Sequence, residues 1–184
     1  MNLKFYFFII LTLLSINTFS QEKNVRSKKQ LNDRYKIIEK EKKELRKQID
    51  GSILEELSFE DIDGNKHTLE SLKGKIVVLN FWFIQCKPCV EEFPDLNKLK
   101  KKFKGKSVEF FAVTWNDKNS LINFLNTTTL DFTVVPDSKL IKKFKIPYYP
   151  YNIIIDKKGK IEYINDILSL NIMKKIERKI NKLL

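Results

Sequence analysis

KIVVLNFWFIQCKPCVEEFP, residues 75–94, changes character halfway along. Lys75 to Trp82 is a nearly continuous apolar run, as expected of a strand buried on both faces. A helix is expected from Cys86 onward. Pro88 suits its first turn, where no N–H is needed, and Glu91 and Glu92 favour the positive helix end. Val90, Phe93, Leu96, Leu99 and Phe103 recur as a core-facing stripe. Pro94 lies inside that stripe and predicts a kink.

The flanks extend this strand–helix unit. Upstream, residues 57–61 and 67–69 read as two short strands around the turn Asp63-Gly64, closed by 71–74. Downstream, residues 108–115 form a second buried strand, 120–125 a helix, 132–135 a short extended segment and 140–144 a helical turn. Residues 153–155 and 161–164 read as strands joined at Asp156–Gly159. Met173, Ile176, Ile180 and Leu183 mark one face of a C-terminal helix. Alternating strands and helices followed by a hairpin and helix predict an α/β sandwich with a mixed central sheet flanked by helices.

The 184 residues suffice for one domain with a proper core, and two cysteines are too few for a disulfide-stapled mini-protein. Residues 1–20 carry one early charge, Lys4, then an apolar run from Phe5 to Leu14, with small residues at Thr18 and Ser20. This is the pattern of a cleaved signal peptide. The run is short of the ~20 residues that span a bilayer, and an uncleaved membrane anchor is the alternative. Either places the domain outside the cytoplasm, where disulfides persist, and in a periplasm after cleavage. Residues 21–50, with 11 Lys/Arg against 6 Asp/Glu, read as a charged helical N-terminal extension with Leu31, Tyr35, Ile38, Leu45 and Ile49 at helical spacing. Residues 51–184 form the domain. The remaining charge of the +12 chain is spread along it. That distribution indicates a solvated basic surface and no nucleic-acid partner.

Cys86 and Cys89 admit three readings. A zinc site needs about four ligands, and C-x-x-C supplies two. His67 is the lone histidine, so no metal is expected, and His67 reads as a solvent-facing strand residue. A structural staple closing so short a loop removes little chain entropy, roughly 2 kcal/mol against nearly 5 for a hundred-residue loop. A redox pair accounts for the location at a strand-to-helix junction. Unpaired N–H groups and the helix dipole there favour a thiolate, with Lys87 adding charge. Thiols in such motifs reach pKa values of roughly 3.5–7.5, and residues three apart on a helix are neighbours.

Gly74-Lys75, VVLNFW, C-x-x-C, Glu92-Phe93-Pro94, VEFFAVTWND (108–117), Asp137 and FKIPYYPYNIIIDKKGKI (144–161) together resemble the extracytoplasmic thioredoxin-like proteins of the TlpA/ResA type. The resemblance covers about residues 53–184. It implies a thioredoxin fold with an N-terminal β-hairpin and thiol–disulfide oxidoreductase activity, usually reductive, in cytochrome c maturation or periplasmic thiol repair. Carried over by position, Cys86 is the exposed nucleophile and Cys89 the resolving thiol of a redox disulfide. Glu92 matches the active-site glutamate, and Pro150 matches a cis-proline that lies against the cysteines. Tyr149, Pro150, Gln85 and Lys87 are the expected substrate-binding residues. Gln85 stands where a tryptophan is usual, Tyr148 replaces a common glycine, and Tyr149 and Tyr151 make the proline loop unusually aromatic.

The implied partners are disulfide-containing exported proteins and an external electron donor such as a membrane thiol reductase. No cofactor beyond the dithiol is implied. A non-catalytic thioredoxin-fold adaptor that holds a partner through the loop around Pro150 is the alternative. A peroxiredoxin fits poorly, because Phe83 stands where a threonine or serine is expected three residues before the attacking cysteine.

Overall fold

The computed structural model describes residues 26–41, 43–44, 50–164 and 171–184. The expected signal peptide lies outside the described residues. The chain divides into two units between Lys43 and Glu44. In the first, residues 26–41 form helix α1, whose side chains are exposed apart from half-buried Ile38. The expected stripe residues Leu31 and Tyr35 are exposed there. Leu45 and Ile49 lie outside the described residues.

The second unit opens with a two-stranded antiparallel hairpin, β1 (Ser58–Glu60) and β2 (Lys66–Thr68), with Phe59 opposite His67. Asp61 shapes its turn. Its buried Oδ1 accepts from the amides of Asp63 at 3.0 Å and Asn65 at 2.9 Å, and Gly64 supplies the left-handed φ of 87°. His67 departs from the expected solvent-facing position. It is half-buried, stacks on Phe59 and lies 2.9 Å from Asp61 Oδ2.

Five further strands form one mixed sheet: β3 (Ile76–Phe81), β4 (Val108–Thr114), β5 (Thr133–Pro136), β6 (Tyr151–Ile155) and β7 (Ile161–Ile164), in the order β5-β4-β3-β6-β7. β3, β4 and β5 are parallel, whereas β6 is antiparallel to β3 and β7 to β6. All six residues of central β3 are buried, which explains its lack of hydrophobic alternation. One polar pair interrupts this apolar interior: Asn80 Nδ2 donates to Asn152 Oδ1 of β6 at 3.0 Å.

The helices are α2 (Lys87–Glu91), α3 (Phe93–Lys102), α4 (Lys118–Leu125), α5 (Ser138–Lys143) and α6 (Ile172–Leu183). The expected kinked helix is two helices, broken at Glu92. Restarting at Phe93 puts Pro94 in the first turn of α3, where its missing N–H leaves no intrahelical bond unmade. Glu92 carbonyl accepts from the amides of Asp95 and Leu96, both at 3.0 Å, and starts the new ladder. Phe93, Leu96, Leu99 and Phe103 are buried as the stripe predicts, together with Ile176 and Ile180 of α6.

Asp117 and Asp137 begin α4 and α5 by accepting bonds from Ser120 N and from Lys139 N and Leu140 N, respectively. Among the described residues no helix is long and apolar enough to cross a membrane.

Candidate active site

Three chain segments leave the same end of the sheet. β3 and β4 are parallel, so residues 82–86 and 115–117 both emerge from their C-terminal ends. β6 is antiparallel to β3 and pairs Tyr151 with Phe81, so Tyr149-Pro150 enters at that end. The carboxyl end of parallel strands is where an open α/β sheet offers a crevice.

Cys86 and Cys89 meet here as a disulfide, with Cα atoms 5.3 Å apart. Cys86 occupies the N-cap of α2, and its carbonyl accepts from the amides of Cys89 at 3.0 Å and Val90 at 3.1 Å. The loop before it is pinned from two directions. Cys86 N donates to Phe83 O at 3.0 Å, and Ile84 N donates to Asn116 Oδ1 of the β4 segment at 3.0 Å. Thr114 Oγ1 donates to the same oxygen at 2.9 Å. Asn116, 32 residues from Ile84 in sequence, thus fixes the approach to Cys86. The expected exposed Cys86 is corrected for this disulfide form: Cys86 is 5% exposed and Cys89 1%.

Glu92 is placed by the helix break, with its amide donating to Cys89 O at 3.2 Å. Glu92 is half-buried, and among the described residues its buried Oε2 has no hydrogen-bond partner. Burial, with a smaller repulsion from Asp95, raises its carboxyl from 4.5 to about 7. It also borders a cleft of about 480 Å³ between α3 and the start of α6, lined by Leu99, Lys102 and Ile172 among others. A carboxyl poised near neutrality, three residues after Cys89, can accept or return a proton at physiological pH.

The Tyr149–Pro150 peptide bond is cis, in agreement with the resemblance. Pro150 is buried and Tyr149 half-buried. Burial pushes the Tyr149 hydroxyl up to about 12, so it remains a donor at neutral pH. Tyr148 and Tyr151 pack inward, edge to face with ring centroids 5.2 Å apart. Gln85 and Lys87 are exposed. The Lys87 ammonium lies 3.7 Å from Glu91 Oε1, so part of its charge is offset by an acid on its own helix.

The disulfide, the broken helix and the proline loop are therefore brought to one end of the sheet. Phe83, Trp115 and Asn116 join them there; the sequence placed Phe83 only as an argument against a peroxiredoxin, and Trp115 and Asn116 only within the resembling stretch 108–117. Phe83 and Trp115 stack at 4.5 Å, and Tyr149 stands edge-on to both, at 5.3 Å and 4.9 Å. Aromatic residues directly after two neighbouring parallel strands were the available signal, and it required knowing that β3 and β4 pair.

Comparison with known proteins agrees with this architecture. The model of the AhpC/TSA family matches residues 51–164. Thiol-disulfide oxidoreductase ResA of Bacillus thuringiensis (strain Al Hakam) is 40% identical over 104 residues, 55% of this chain and 60% of that protein's length. ResA of Bacillus thuringiensis subsp. konkukian (strain 97-27) is 35% identical over 126 residues, 67% of this chain and 72% of that protein. Among solved structures, a candidate thiol:disulfide interchange protein DsbE from Chlorobium tepidum superposes with a TM-score of 0.65 at 23% identity, covering 73% of this chain and 96% of that one. That likeness establishes the thioredoxin fold.

Proposed function

The chain belongs to the AhpC/TSA family, and from that premise we propose that it is an exported thiol–disulfide oxidoreductase that reduces disulfides of partner proteins. The observation that carries the reading is the Cys86–Cys89 disulfide at the junction of a buried central strand and a helix start. A staple has little to stabilise there, since the strand is already fully buried. A dithiol placed at the strand ends, among three converging loops, is placed to react.

In the reduced protein the Cys86 thiolate attacks one sulfur of a partner disulfide. The Cys86–partner S–S bond forms, the partner's S–S bond breaks, and the second partner sulfur leaves as a thiolate. Cys89 then loses its proton, with Glu92 as the acceptor, and attacks Cys86 Sγ. The Cys86–Cys89 bond forms and the first partner sulfur leaves. Two electrons pass from the dithiol to the partner, and an external dithiol donor restores the starting state. Cys86 takes the attacking role because it caps α2, where unsatisfied amides and the helix dipole favour the thiolate. Tyr149 and Pro150 border the incoming chain, while Gln85 and Lys87 supply exposed polar contacts beside it. The apolar run after Lys4 supports export, and the fields of action are cytochrome c maturation or thiol repair outside the cytoplasm.

Exchange with oxidised insulin tests the assignment. Cys89→Ser should accumulate a mixed disulfide through Cys86 that dithiothreitol reverses. Wild type should release reduced chains, and Cys86→Ser should do neither. A mixed disulfide formed through Cys89 in Cys86→Ser, with none through Cys86 in Cys89→Ser, would reverse the two roles.

A further inference from the structure

The aromatic group beside the dithiol is more exposed than packing alone requires. Half-buried Phe83 and Tyr149 join the loops after β3 and before β6 to each other. Trp115 adds the loop after β4, yet 45% of it remains exposed. Exposed indole surface of this kind, at the rim of a reactive centre, marks a contact area.

We propose that Trp115, with the ring edges of Phe83 and Tyr149, selects partners that carry a large apolar or aromatic side chain two residues from the disulfide cysteine. The proposal rests on the exchange reading above. In that chemistry a partner sulfur must come to bonding distance of Cys86, and Cys86 is tied to Phe83 by its own amide. An extended partner segment puts residues two apart on the same face, about 7 Å apart. A side chain at that spacing therefore comes down over the surface next to Cys86 while the cysteine engages it. The rings are uncharged, and the chain carries a net charge of +12 with Lys87 exposed nearby. A lysine or arginine at that partner position brings like charge to a basic surface. An apolar ring or a leucine does not.

The test uses the full chain in its dithiol form and three otherwise identical Gly/Ser-based peptide disulfides, with Trp, Ser or Lys two places from the cysteine. The wild-type protein should reduce the Trp peptide with about tenfold higher kcat/KM than the Ser peptide, the difference residing in KM. The Lys peptide should be no better than the Ser peptide. Trp115→Ala should bring the Trp/Ser ratio to within about twofold, and Trp115→Phe should keep most of it. Because a ratio of two substrates does not depend on the amount of folded protein, partial misfolding of a variant cannot imitate this outcome. An unchanged ratio in Trp115→Ala, or a preference for the Lys peptide, would overturn the proposal. If the wild-type dithiol reduced none of the three, the exchange reading itself would fall, and this inference with it.

Discussion

Ionising a carboxyl whose oxygen is buried without a hydrogen-bond partner costs the folded state, and among the described residues Glu92 Oε2 is in that position. Its carboxyl is raised from 4.5 to about 7, chiefly by burial. The folded protein therefore binds more protons than the unfolded chain between these values, so stability falls as pH rises through that window. Relative to a neutral isostere, the native side chain is equivalent below pH 4.5 and destabilising above pH 7. The full shift corresponds to at most about 3 kcal/mol at 1.36 kcal/mol per pKa unit, and residual solvent contact reduces it to about 1–2 kcal/mol. Glu92→Gln in the disulfide form should thus gain about 1–2 kcal/mol in urea unfolding at pH 8 and nothing measurable at pH 4. An equal gain at both values would show that desolvation of the charge is not the cause. A site that retains such a cost is consistent with a group kept for proton transfer.

Between elements, β7 and α6 are joined by a cluster of charges. Glu162 of β7 accepts from Lys160 at 2.6 Å and from Lys179 of α6 at 2.7 Å. These bonds, Lys160 first, hold its carboxyl down at about 2. Stability from this group is present above the unfolded carboxyl value and lost as pH falls toward 2. Because the group keeps 19% of its side chain exposed, about 1 kcal/mol is the appropriate scale. Glu162→Gln should lower stability by that amount at pH 7 and leave it unchanged at pH 2, read from denaturation midpoints. The strands themselves were legible in the sequence, because β3 and β4 are nearly continuous apolar runs and the hairpin turns carry Asp-Gly or Lys-Gly steps. The break at Glu92 was not. Pro94 announced a disturbance, but its position depended on where a helix could restart without losing a bond, which is a matter of backbone geometry two residues upstream.

For the whole molecule, the cysteines were legible because both lie in one local pattern, and the family resemblance added Glu92 and the proline loop. The residues that frame them are a product of topology. Asn116 reaches Ile84, and Trp115 reaches Phe83, only because β3 and β4 run side by side in parallel. No local periodicity encodes that pairing. The burial of Cys86 in the disulfide is likewise a consequence of loops closing from three directions. The central claim is that this disulfide is a reversible electron carrier, and equilibration in graded glutathione buffers, with mass analysis after alkylation, tests it most directly. The account predicts a single reversible two-electron transition between Cys86–Cys89 disulfide and dithiol, at a potential between about −120 and −270 mV, where exchange catalysts operate. A bond that stays oxidised to below about −300 mV, as structural disulfides do, or one that cannot be re-formed after reduction, would contradict it.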